Sequence, residues 1–116
     1  MISGIGLDIV ELHRIQALNQ RSGKFRNRIL TARELAEYDV LSDKRKTEFL
    51  AGRFAAKEAF SKARGTGIGS ACSFKEIEIR KDEKGKPSIF FQQREIGLVS
   101  ITHTKEYAAA QVLLQF

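Results

Sequence analysis

The stretch Asp43-Lys-Arg-Lys-Thr-Glu-Phe-Leu-Ala-Gly-Arg-Phe-Ala-Ala-Lys-Glu-Ala-Phe-Ser-Lys-Ala-Arg64, closed by Gly65, decides the fold. No proline or β-branched run interrupts it, Ser42 or Asp43 can cap its start, and Gly65 stands where a helix commonly stops. The spacing predicts one helix of about 33 Å, enough to cross a small domain. Ala51, Gly52, Ala55, Ala56, Ala59 and Ala63 fall on one side, flanked by Phe49 and Phe60 on one edge and Leu50 and Phe54 on the other. A face of such small residues lets a sheet or another backbone approach closely. Arg53, Lys57 and Arg64 make a cationic line elsewhere on the helix.

Upstream, Ile2 to Val10 is rich in β-branched residues and glycine and reads as a strand. Residues 11–28 read as short helices broken near Ser22-Gly23, and Thr31-Ala-Arg-Glu34 has the spacing of a capping box for a helix through Tyr38. Downstream, strands are predicted at Phe74–Arg80, Pro87–Phe91, Leu98–His103 and Tyr107–Leu114, with a polar turn at Asp82–Lys86 and a tight one at Thr104–Glu106. Ile77 and Ile79 alternate with Glu76, Glu78 and Arg80, the period of two of a half-buried strand. The fold class is α+β, a long helix packed on a small, mostly antiparallel sheet.

With 116 residues, 42% of them hydrophobic, one domain over 1–116 is expected. A deep cleft is hard to build within one copy this small, which hints at a site shared between copies. No apolar run could span a membrane, no basic-then-apolar segment opens the chain, and Cys72 is alone, so a cytoplasmic protein is expected. The net charge of +6 is uneven: residues 1–64 hold 13 basic and 8 acidic side chains. Arg14, Arg21, Lys24, Arg26, Arg28 and Arg33 lie in 14–33 without one acidic residue. Such a patch favours an anionic partner, whether nucleic acid, acidic protein or phosphate-rich small molecule, or is simply a solvated face.

Two carboxylates stand out. Asp8 interrupts an apolar strand between Leu7 and Ile9, where it needs a cation, good hydrogen bonds or a helix start to cap. Glu58 is bordered by small and apolar positions, with Lys62 four residues on as a possible ion-pair partner. Together with that lysine they also suit a hard divalent cation shared with substrate phosphates. Gly65-Thr-Gly-Ile-Gly69 is neither a Walker loop nor a dinucleotide fingerprint; it reads as a helix stop and turn whose bare backbone a phosphate could approach. Two histidines, His13 and His103, and one cysteine exclude a zinc or iron–sulfur centre, and Cys72 reads as a packed thiol.

Three blocks resemble the holo-acyl-carrier-protein synthases, the short class of 4′-phosphopantetheinyl transferases. They are Gly4-Ile-Gly-Leu-Asp-Ile-Val-Glu-Leu-His-Arg-Ile15, Phe54-Ala-Ala-Lys-Glu-Ala-Phe-Ser-Lys-Ala-Arg-Gly65 with its glycines to Gly69, and Ser100-Ile-Thr-His-Thr-Lys-Glu-Tyr-Ala-Ala-Ala-Gln-Val112. Ile29–Leu35 and Gly85-Lys-Pro87 are also similar, so the resemblance covers nearly the whole chain. Thr102 stands where the family usually has serine. Phe90–Gly97 fits no family pattern, is shorter than the usual connection, and leaves the placement of the last-but-one strand open.

The resemblance implies transfer of the phosphopantetheine arm of coenzyme A to a serine of an acyl carrier protein, with Mg²⁺ as cofactor. It implies Asp8 and Glu58 as metal ligands, Lys62 on the transferring phosphoryl group, and Gly65 near the pantetheine or phosphate chain. His103 and Thr104 would hold the 3′-phosphate end, joined by Arg45 and Arg53, across the subunit boundaries of a homotrimer. Arg14, Arg21 and Lys24 would face the acidic recognition helix of the carrier protein. The base is expected to be Glu58, acting directly or through a metal-bound water, with His103 as the weaker candidate. A rival reading, a non-catalytic basic domain binding nucleic acid, accounts for the charge but leaves Asp8 and Glu58 unexplained and lacks a recognition motif.

Overall fold

The computed structural model describes residues 1–115. A strand, β1 (Ile2–Glu11), runs without a loop into α1 (Leu12–Arg21), followed by α2 (Lys24–Ile29), α3 (Ala32–Asp39) and α4 (Asp43–Arg64). The rest of the chain makes β2 (Ile77–Lys81), β3 (Pro87–Phe91), β4 (Arg94–His103) and β5 (Tyr107–Gln115). The five strands form one antiparallel sheet in the order β1-β5-β4-β3-β2, with α4 lying chiefly across β1 and β5.

The small-residue face of α4 does what its composition predicts. Ala51, Ala55, Ala56 and Ala59 are fully buried. β1 meets them with glycines: a Cβ on Gly4 would lie 2.2 Å from the carbonyl oxygen of Ala63, and one on Gly6 only 1.8 Å from that of Ala59. Strand and helix backbones therefore touch, and any larger residue would push them apart. Leu50, Phe60, Ile77, Ile79, Ile89 and Val112 fill the core around this contact.

Lys57 departs from expectation. Within the cationic line of Arg53, Lys57 and Arg64, it is wholly buried, as is Glu34. Its Nζ donates to Glu34 Oε1 at 2.6 Å, to the carbonyl of Ile29 at 2.7 Å and to that of Phe74 at 3.1 Å. Glu34 Oε1 also accepts from the Thr31 amide, closing the predicted capping box, and Oε2 accepts from the Ile79 amide. The signal was there: Lys57 has Leu50, Phe54 and Phe60 at i−7, i−3 and i+3, an apolar neighbourhood. Arg53 is buried too, its guanidinium 4.2 Å from the centre of the Phe49 ring.

Two strand boundaries differ from the sequence reading. Phe74–Glu76 is a 3₁₀ turn with its own Ser73/Glu76 capping box, so β2 starts at Ile77. β4 starts at Arg94, because Gln92 and Gln93 take φ of 51° and 70° and turn the chain in two residues. Positive φ at both positions is the hairpin geometry that matches strand twist, here without the usual Asn-Gly signature.

Gly6→Ala is expected to cost about 3 kcal/mol or more in denaturant unfolding, since the methyl group meets fixed backbone. Gly69→Ala, with nothing within 4 Å, serves as the comparison and should cost far less. Equal losses would show that the β1–α4 contact is not the tight one.

Candidate active site

Side chains alternate along β1, so Asp8 shares the inner face with Gly4 and Gly6 and arrives beside the last turns of α4. It does not cap the next helix: the residue before α1 is Glu11, and the Leu12 amide is bound instead by the Glu106 carbonyl at 2.9 Å. Its partner is Lys62, whose Nζ lies 3.0 Å from Asp8 Oδ1 and 3.3 Å from the Leu7 carbonyl. The lysine thus crosses from helix to strand rather than pairing along the helix with Glu58.

Glu58 is half-buried beside this pair. Burial, and then the charge of Asp8, push its carboxyl up from the ordinary range, while Lys62 and Arg28 pull the other way. Two carboxylates, one ammonium and one guanidinium therefore share a small region where β1 meets α4. Among the described residues no group of three His, Cys, Asp or Glu is placed to hold a metal. Any ion here must rely on these two carboxylates and on ligands brought by a substrate. Gly65 ends the helix as expected, with φ of 83°, and the amides of Gly65, Thr66 and Gly67 all reach the Ser61 carbonyl. Cys72 is fully buried, and burial pushes its thiol up, away from a reactive thiolate.

Arg45, Arg53 and His103 line a second cleft of about 200 Å³, with Phe49, Lys81 and Pro87. His103, at the end of β4, lies 3.5 Å from Glu48, and exposed Arg45 pairs with the same glutamate at 3.4 Å. Arg53 Nε is buried with no hydrogen-bond partner, a donor waiting for an acceptor. Burial, then the charges of Arg53 and Arg45, hold the Lys81 ammonium below its ordinary range. Sequence reasoning missed Lys81, which ends β2 with the parity of Ile77 and Ile79 and is exposed at the cleft's edge. Thr104 is engaged locally: its hydroxyl accepts from the amides of Glu106 and Tyr107, holding the β4–β5 turn.

Arg14 and Arg21 lie on the exposed side of α1 and, with Ala17 and Leu18, line a shallow depression; Lys24 is exposed at the start of α2. The structure thus places the proposed residues in three groups, the Asp8–Glu58–Lys62 cluster, the Arg45–Arg53–His103 cleft and the α1–α2 cations.

The family model described as the 4′-phosphopantetheinyl transferase superfamily matches residues 4–112. The chain belongs to that superfamily. The transferase is 62% identical to the holo-[acyl-carrier-protein] synthase of Bacillus subtilis, over 99% of this chain and 97% of that protein. Its fold matches a holo-(acyl-carrier-protein) synthase from Bacillus anthracis solved in complex with CoA (3′,5′-ADP), with a TM-score of 0.91 and 53% identity over 98% of this chain and 96% of that one. It also matches the Helicobacter pylori holo-[acyl-carrier-protein] synthase solved with coenzyme A, with a TM-score of 0.85 and 34% identity over 96% and 99%. No helix among the described residues is long and apolar enough to cross a membrane.

The transferase's Glu58 carboxyl, followed by side-chain NMR, is expected to titrate above the ordinary carboxylate range. Asp8→Asn should lower the midpoint by removing the nearby negative charge, and Lys62→Met should raise it by removing the opposing positive one. A midpoint unmoved by Asp8→Asn would separate the two carboxylates.

Proposed function

We propose that the enzyme moves the 4′-phosphopantetheine arm of coenzyme A to a serine hydroxyl of an acyl carrier protein, releasing 3′,5′-ADP, with Mg²⁺ at Asp8 and Glu58. The observation that carries this reading is the meeting of Asp8, Glu58 and Lys62 at the β1–α4 contact, in a chain of this superfamily. The donor set fits the metal: Mg²⁺ takes one or two protein carboxylates and completes its shell with water and phosphate oxygens. An ammonium already sits on Asp8, and Asp8 raises the Glu58 carboxyl, so the region suits positive charge. Bound Mg²⁺ supplies charge neutralisation on the diphosphate.

The chain's own residues do the rest. Lys62, half-exposed on a flexible stem, turns its ammonium to the phosphoryl oxygens, where charge spreads as the bond to the leaving group breaks. Glu58, with proton affinity above that of an ordinary carboxylate, accepts the serine proton directly or through a water. Gly65, without a side chain, lets the pantetheine or phosphate chain pass close to the helix end. Arg53, Arg45 and Lys81 with His103 form the receptor for the 3′-phosphate, where the free Arg53 Nε finds its acceptor. Thr104 shapes that end by fixing the turn after His103. Arg14, Arg21 and Lys24 receive the acidic helix of the carrier protein, so the basic run needs no nucleic acid. The reaction belongs where coenzyme A is made available, in the cytoplasm, to a single domain over 1–116 that supports fatty acid synthesis.

Arg53 and Glu58 are five residues apart on α4, about 140° around its axis. One copy therefore presents the 3′-phosphate receptor and the diphosphate cluster on different sides of the helix, and we infer that the coenzyme spans them between two copies. The outer sheet face supplies the contact. Ile5, Leu7 and Ile9 are each more than 60% exposed, and Leu98 and Tyr107 extend the patch across β4 and β5. An apolar surface of this kind marks an interface. We assign it to a homotrimer.

Mass spectrometry of an apo acyl carrier protein with this enzyme, coenzyme A and Mg²⁺ should show the gain of one phosphopantetheine, lost with EDTA. Glu58→Gln should abolish the gain while keeping the fold, and 3′-dephospho-coenzyme A should serve as a poorer donor. Wild-type rates in Glu58→Gln, or no transfer to any carrier, would overturn the reading.

Sedimentation equilibrium should give the mass of three chains. A Leu7→Lys, Ile9→Lys double variant should give folded single chains without transferase activity. An unchanged mass would remove this face from the interface.

A further inference from the structure

We propose that Lys62 is the resident cation of the carboxylate site. Its ammonium occupies the place of the divalent ion until coenzyme A draws it away, so metal and coenzyme enter together. The proposal rests on the metal reading of Asp8 and Glu58 given above.

In the structure, Lys62 Nζ has two acceptors on β1, Asp8 Oδ1 at 3.0 Å and the Leu7 carbonyl at 3.3 Å. Glu58 lies one turn back on the same helix, where a lysine ordinarily finds its glutamate, yet Lys62 reaches across to the strand. Asp8 is only 15% exposed at its side chain, so few directions of approach are open, and the ammonium fills one of them. A divalent ion seeking that oxygen meets both a filled position and a like charge. Lys62 itself is 53% exposed and held by no other side chain than Asp8, so its four-carbon stem can swing away.

A diphosphate offers the ammonium a stronger anionic partner than a single carboxylate. Once Lys62 turns to it, Asp8 is free, with Glu58, to hold a divalent ion that would add to the charge neutralisation of the diphosphate. The two binding events are then coupled through one side chain, and by linkage each raises the affinity of the other by the same factor. Arg28 also lends positive field at Glu58 but makes no contact with Asp8 in the structure, so it distinguishes general field from direct occupation.

The test uses Mn²⁺ as the probe, its free ion read by electron paramagnetic resonance, with no coenzyme A present. Lys62→Met should bind Mn²⁺ about tenfold more tightly than wild type, roughly 1.4 kcal/mol. Lys62→Arg should remain as weak as wild type, and Arg28→Ala should change affinity by less than about threefold, as a screened charge without contact does. Adding Asp8→Asn to Lys62→Met should remove the gain. Equal affinities for Lys62→Met and wild type, or no Mn²⁺ held by Lys62→Met across the millimolar range, would overturn the proposal. Saturating coenzyme A separates this from failure of the metal site: wild type that then holds no more Mn²⁺ than the Asp8→Asn protein refutes the site itself. Where wild type does hold more, equal Mn²⁺ affinities of Lys62→Met and wild type without coenzyme A refute the displacement alone.

Discussion

The backbone contact between β1 and α4 is the constraint on which the remaining structure depends. Glycine at positions 4 and 6 brings the strand against the carbonyls of Ala63 and Ala59, closer than any side chain permits. Because strand side chains alternate, the same register that faces two glycines to the helix faces Asp8 to it two residues later. The short helix-to-strand distance is what lets Lys62 span to Asp8 and what puts the Asp8 charge within reach of Glu58. The small-residue face thus has a chemical consequence as well as a packing one.

A second device holds the other side of α4. Buried Lys57 gathers the end of α2, the turn at Phe74 and, through Glu34, the start of α3 and the edge of β2. A buried ion pair of this kind gains little over apolar packing when complete, yet losing one partner strands a charge and costs about 3–5 kcal/mol. Its use is therefore specificity of arrangement: four backbone groups, from the end of α2, the Phe74 turn, the α3 cap and β2, meet at one ammonium and one carboxylate. The Glu34 carboxylate also takes the Ile79 amide, so part of the exposed edge of β2 is closed without a further strand.

The elements legible in the sequence were those whose signals are local. The Asp43–Arg64 helix, its Gly65 stop and the Thr31/Glu34 capping box each depend on residues within a turn or two, and all are found as read. Asp8 and Glu58 were legible as misfits, a carboxylate in an apolar strand and one at the edge of a small-residue face. Their meeting was not, since it depends on the register of β1 against α4, which joins residues fifty positions apart. The burial of Lys57 is legible only where its apolar neighbours at i−7, i−3 and i+3 outweigh its charge. Lys81 lies one residue past the strand expected to end at Arg80, so the parity of Ile77 and Ile79 does not reach it in the sequence reading. The Gln92-Gln93 turn had no signature at all: positive φ at two glutamines is imposed by the hairpin, not invited by the residues.

Small size explains how these features are divided. A chain of 116 residues has one long helix and one sheet with which to build a site. The inner face of the sheet is spent on the core, leaving the two flanks of α4 and the outer face of the sheet for other uses. One flank collects Arg53 with Arg45 and Lys81, where an unpaired buried donor and mutually repelling cations favour an anion. The other collects Asp8, Glu58 and Lys62, where carboxylates favour a cation. A metal-bound diphosphate ester with a further phosphate needs both chemistries at once, and a single helix cannot turn both flanks toward one ligand. The exposed Ile5, Leu7 and Ile9 row lies on the same strand as Asp8, with alternate residues facing opposite sides. Association through that row would fix β1 from behind and bring a second copy next to the strand that carries Asp8.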